Sequence, residues 1–174
     1  MKFLFLLTLL LLLKTSLFAK GTTEALGDIF QIALPLSAYG TALYLDDTEG
    51  EHQFYKAYGT TLATTYTLKY TVKEKRPDSE NRDSFPSGHT ASAFGGASFI
   101  HLRYGWEAAI VPYIAAIYTG YSRVASNKHF THDVLAGATI GILSNWFFVT
   151  PYKNMTLYPQ YGANFKGLTL SYSW

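Results

Sequence analysis

The chain has 174 residues and no cysteine, which fits one domain and excludes disulfide scaffolds, cysteine-ligated zinc and thiol nucleophiles. Charged residues make up 15% against a usual share of about 25%, and aromatics 17%, so the chain is too apolar to be disordered. The formal charge of +2 is too weak for a nucleic-acid footprint, and no nucleic acid is expected among the partners.

Part of that composition belongs to the first segment. Met1-Lys2, an apolar run over 3–13 broken only by Thr8, and Leu17-Phe18-Ala19 before Lys20 have the layout of a secretory signal peptide over 1–19. The run falls short of the roughly 17–25 apolar residues that a transmembrane helix needs. Without Lys2 and Lys14 the remaining 155 residues carry 12 basic and 12 acidic side chains, a neutral balance. An exported, cysteine-free chain leans to a bacterial periplasm, with a single domain over 20–174.

That domain reads as mainly α. Helices are expected over 28–45, 54–70, 90–102, 106–121 and 134–149, the last following Asp133 and stopping before Pro151. Sixteen helical residues reach about 24 Å, short of a hydrocarbon core of about 30 Å. The expectation is therefore a bundle, soluble or resting on a membrane surface, with a small integral bundle as the alternative. The connection over 71–87 is crowded with charge and carries Pro77 and Pro86, the composition of a solvated loop that can also serve function. At the C-terminus, Leu168, Leu170, Tyr172 and Trp174 alternate with Thr169, Ser171 and Ser173. This period of two predicts a β-hairpin over about 155–174, laid on the bundle.

Three clusters carry chemistry: Lys69-x6-Arg76-Pro77, Pro86-Ser87-Gly88-His89, and Ser122-Arg123-x5-His129-x3-Asp133. Singly each reads as a solvated charge, a turn or a helix-end pair. In an antiparallel up-down bundle they all fall at one end, which becomes the expected active site. There Lys69, Arg76 and Arg123 can neutralise a phosphate dianion. Ser87 and the Gly88 amide open a helix, where unpaired N–H groups receive an anion. A neutral imidazole such as His129 can act as a nitrogen nucleophile, with Asp133 fixing its tautomer, and His89 can exchange a proton with a departing oxygen.

The eleven residues of these clusters match, in identity and spacing, the three-part signature of the type 2 phosphatidic acid phosphatase superfamily. That superfamily also holds bacterial non-specific acid phosphatases and vanadium haloperoxidases. The resemblance covers residues 69–133. It implies a phosphatase that uses no metal and no other cofactor and works through a phosphohistidine. His129 would be the nucleophile, Asp133 its partner and His89 the general acid, with Lys69, Arg76, Ser87, Gly88 and Arg123 cradling the phosphate.

The aromatic-rich composition and short apolar helices favour a lipid phosphate monoester or lipid diphosphate as substrate. The alternatives are a soluble periplasmic acid phosphatase, a haloperoxidase, which is disfavoured by length, and a non-catalytic phosphate- or lipid-binding module. His52 and His101 are read as ordinary residues, and His132 as one that could line the pocket. Metal ligation by His129 and His132 is disfavoured, because a metal would consume the nucleophile.

Overall fold

The computed structural model describes residues 21–152 with their side chains, and 155–162 and 165–172 as backbone. The leader expected over 1–19 lies outside the described residues. Five helices follow one another: α1 (Thr22–Tyr44), α2 (Thr48–Val72), α3 (Gly88–Tyr104), α4 (Trp106–Ala125) and α5 (Thr131–Phe148). Two strands, β1 (Met155–Gly162) and β2 (Phe165–Tyr172), pair antiparallel with Leu157 opposite Leu170.

Helix α1 starts six residues before the expected Asp28 and α2 six before Phe54, because their first turns are polar and carry no hydrophobic period. What starts α2 is a cap: the Asp47 carboxylate accepts the Gly50 amide at 2.9 Å. Helix α4 runs one turn past Tyr121, so Ser122 and Arg123 sit within its last turn. The longer helices also remove the length argument against crossing a membrane. A 23-residue α1 extends about 34 Å. Composition is the remaining obstacle, for no helix among the described residues is both long and apolar enough to cross.

Helix α3 is the hub and packs on all four others. It can do so because Ala91, Ser92, Ala93, Gly95, Gly96, Ala97 and Ser98 give it a buried surface of small side chains. At Gly96 a Cβ would lie 2.5 Å from the backbone of Leu34 and Pro35. Pro35 is tolerated inside α1 at this crossing. Its missing N–H orphans the Gln31 carbonyl, and the Ser92 hydroxyl of α3 supplies the lost bond at 2.6 Å.

At the end of α3, Gly105 takes a positive φ of 98° and serves both as its C-cap and as the residue before α4, turning the chain back sharply. The main core lies in this lower half, around Phe54, Phe99, Ile100 and Tyr104. Phe99 is fully buried and meets Phe54 edge to face at 5.2 Å. Burying such a ring contributes about 1.5–3 kcal/mol.

Up-down connectivity then places the end of α2, the starts of α3 and α5, the end of α4 and the first turns of α1 at the opposite end of the bundle.

Candidate active site

A cavity of about 530 Å³ opens at this end and runs between α1 and α2. Lys69, Arg76, Gly88, His89 and His129 line its polar end, together with Asp83. Ser87, Arg123 and Asp133 stand directly behind the wall, each at most 2% exposed. Away from the charges the lining turns apolar and aromatic: Ile32, Leu36, Phe54, Tyr58, Leu62 and Tyr66.

The charged connection folds back on itself, with Arg76 N–H bonded to the Asn81 carbonyl and Ser84 N–H to that of Glu74. Asp83 on the returning limb holds Arg76 through two bonds, Nε–Oδ1 at 2.7 Å and Nη2–Oδ2 at 3.1 Å. That clamp fixes the guanidinium plane and keeps the Asp83 carboxyl below its usual range. Lys69 reaches the same limb, donating to the Asp83 carbonyl at 2.5 Å. Burial lowers its pKa first, with Arg76 adding to the effect.

The start of α3 is built by Ser87, whose hydroxyl accepts from the Thr90 hydroxyl at 3.0 Å and from the Thr90 amide at 3.4 Å. Its own amide donates to the Asp133 carbonyl at 2.9 Å, so the cradle is tied to the first turn of α5. Gly137 on α5 permits that approach, for a Cβ there would overlap the Ser87 carbonyl.

Inside the same turn the Asp133 carboxylate accepts the Phe130 amide at 2.9 Å and the Ser84 hydroxyl at 2.6 Å, both on Oδ2. Nδ1 of His129 stands 3.4 Å from Ser84 Oγ and 3.4 Å from Asp133 Oδ2. Nδ1 is thus turned toward the buried carboxylate, which leaves Nε2 as the nitrogen available to the cavity. Burial, then Arg76 and Lys69, hold the His129 pKa down to about 4. At neutral pH the ring is an uncharged imidazole among cations.

His89 is held from α1, its Nε2 lying 3.0 Å from Asp28 Oδ1. Burial lowers its pKa first, and the Asp28 bond opposes this. Arg123 gives the same Asp28 oxygen a bond of 2.7 Å and donates through Nη2 to the Glu24 carbonyl at 2.6 Å.

His132 lies outside the cavity lining. It is half exposed, stacked on Phe130, with Nε2 2.9 Å from Glu74 and 3.3 Å from Asp133 Oδ1. Glu74, His132 and Asp133 are the one group of potential metal ligands among the described residues, their ligand atoms within 4.8 Å of one another.

Reading the residues alone missed four members of this end of the bundle. Asp28, Asp83 and Ser84 act by gripping other side chains. Thr65, one turn before Lys69, lines the cavity with a buried hydroxyl that has no hydrogen-bond partner among the described residues. The carboxylates beside Arg76 and the Ser84 hydroxyl just before Pro86 were the available signals; Asp28 offered none beyond its place near a helix start.

At one end of a helical bundle, an imidazole backed by a buried carboxylate thus faces cationic side chains, an arrangement suited to a phosphate. The model of the PAP2 superfamily matches residues 8–156, and the chain belongs to that superfamily. It is 30% identical over 169 residues to the lipid A 4'-phosphatase of Helicobacter pylori, covering 87% of this chain and 85% of that protein. Over 78 residues it is 45% identical to the lipid A 1-phosphatase of Porphyromonas gingivalis, covering 43% of this chain but only 18% of that protein. The fold resembles the crystal structure of Aquifex aeolicus LpxE with a TM-score of 0.55 and 24% identity, covering 79% of this chain and 92% of that one. This likeness supports the helical bundle and lends no support to the C-terminal hairpin.

Proposed function

We propose that the protein hydrolyses a lipid phosphate monoester or lipid diphosphate through a phosphohistidine on His129. One observation carries the reading. A single cavity joins the cationic end at Lys69, Arg76 and His129 to an apolar, aromatic channel between α1 and α2. The first suits a phosphate, the second a hydrocarbon chain beside it. The names of the curated relatives support a lipid phosphate in the same direction.

In this scheme the Nε2 lone pair of His129 attacks phosphorus, and the bond from phosphorus to the lipid oxygen breaks. His89 gives its proton to that departing oxygen. Water then attacks the phosphohistidine, losing a proton to His89, and the P–N bond breaks to release phosphate. Lys69 and Arg76 offset the charge on the phosphoryl oxygens, and Asp133 stabilises the His129 ring as it becomes positive. No step calls on a metal.

The reading extends to place: an exported protein of a bacterial periplasm, working at a membrane surface. Exposed Leu36, Val111, Ile114, Trp146 and Phe147 support such a surface as partner. The C-terminal hairpin would lie against the bundle without adding to the chemistry. A phosphate-release panel on the full chain, with chelator present, tests the activity. Lipid phosphates should be turned over faster than small soluble esters. Turnover only with added metal, or a preference for the soluble esters, would overturn the reading.

A further inference from the structure

We propose that Asp28 of α1 is a positioning residue for this reaction, orienting the His89 proton and restraining Arg123 through one shared carboxylate oxygen. The inference rests on the phosphatase reading above and concerns a residue 41 positions before the first signature residue, Lys69.

The geometry is specific. Asp28 Oδ1 lies 3.0 Å from His89 Nε2 and 2.7 Å from Arg123 Nη1, so a single oxygen bridges α3 and α4. The backbone brings it there by design of the preceding residue. At Gly27 a Cβ would fall on Ser122 Oγ and 2.7 Å from Arg123 Nη2, so α1 comes this close to α4 because residue 27 has no side chain. One turn earlier the Glu24 carbonyl takes the other arm of the guanidinium. Arg123 is thereby fixed on α1 and withdrawn behind the cavity wall, while His89 remains in the lining.

Two consequences follow. With Nε2 committed to a carboxylate, the His89 proton bound for the departing oxygen leaves from Nδ1, and the imidazolium is stabilised in that orientation. Burial first, then Arg123 from α4 and Arg76 from the connection, disfavour the His89 charge, while Lys69 of α2, Asp83 of the connection and His129 before α5 line the same cavity. Asp28 is the anion in contact with the ring, and it opposes them. The same carboxylate also offsets part of the Arg123 charge and so weakens retention of the phosphate product. Asp28 thus favours turnover at the expense of phosphate affinity.

The test compares Asp28→Asn and Asp28→Glu with the wild-type chain. Loss of general-acid support falls hardest where the departing oxygen is poor. Asp28→Asn should cut kcat on an alkyl phosphate by about 10- to 100-fold and on p-nitrophenyl phosphate far less. The alkaline limb of its kcat/KM profile should move toward acid, inhibition by inorganic phosphate should tighten, and Asp28→Glu should recover part of each. Equal losses on both substrates with an unmoved pH limb would overturn the proposal.

A nitrogen-detected NMR titration of His89 needs no turnover and separates this inference from the activity itself. Wild-type His89 should carry its proton on Nε2 and titrate higher than in Asp28→Asn. If wild-type protein releases no phosphate, the activity reading fails while this titration still decides the role of Asp28. If Asp28→Asn does not fold, a wild-type ring with Nε2 unprotonated in the neutral state overturns the role by itself.

Discussion

At the end of the bundle away from the cavity, Arg103 gives Asp47 two bonds, Nη2–Oδ1 at 2.5 Å and Nε–Oδ2 at 2.7 Å. At the cavity end, Arg123 gives Asp28 one bond of 2.7 Å. Both arginines lie in the last turn of a helix and both are buried. The rest of the Arg103 guanidinium is used on the Thr150 carbonyl at 2.8 Å, and Tyr104 completes Asp47 at 3.0 Å. Both partners of that pair are 3% exposed, whereas Asp28 is 24% exposed and shared with a titratable ring. The closed pair joins the α1–α2 turn, α3 and the segment after α5 and has nothing left to offer a ligand. The second pair keeps its carboxylate on His89, a ring that lines the cavity. The same two side chains therefore serve as a staple in one place and as control of a proton in the other.

The largest effect expected on this contrast comes from removing the proposed nucleophile: His129→Ala should lower phosphate release about 10³-fold or more with the fold retained, read by single-turnover assay and circular dichroism. Next is the staple. Arg103→Met leaves Asp47 buried without its partner and should cost about 3–5 kcal/mol in denaturant unfolding, while turnover per folded molecule stays near wild type. Asp47 is held below its unfolded value of 3.8 by Arg103, the Gly50 amide and Tyr104, against the opposing penalty of burial. Its contribution is thus present above pH 3.8 and lost as pH falls through the folded value, which acid unfolding of wild-type protein and Asp47→Asn would measure.

A smaller effect is expected from Asp83→Asn, which frees Arg76 from its clamp. KM should rise by roughly 10-fold with a lesser change in kcat, since the charge remains and its aim is lost. The gentlest probe is pH. In the proposed mechanism His129 acts neutral and is held down to about 4, while His89 acts protonated and lies below the ordinary 6.5. The kcat/KM profile should therefore peak on the acid side of neutrality and fall in both directions, as stopped assays across buffers would record.

The helices and the chemical clusters were legible because both are written in local order. The Asp133–Pro151 interval marks α5, and the spacing from Ser122 to Asp133 is compact enough to read by eye. Helix starts at Thr22 and Thr48 were hidden, since a polar first turn has no hydrophobic period; the Asp47 cap marks only the second. Asp28 and Ser84 were hidden for another reason. Their significance lies wholly in which side chain stands opposite after packing, and no spacing along the chain encodes that. Arg123 belongs to the same lesson: residue type gave it a phosphate, whereas packing gave it first to α1.

The bond from the Ser87 amide to the Asp133 carbonyl, with Gly137 pressed beneath it, has a mechanical meaning. It ties the first turn of α3 to the first turn of α5, so that in the proposed mechanism the seat of the anion and the attacking group move together. On that reading, part of the alignment for attack is made by folding and does not wait for the substrate.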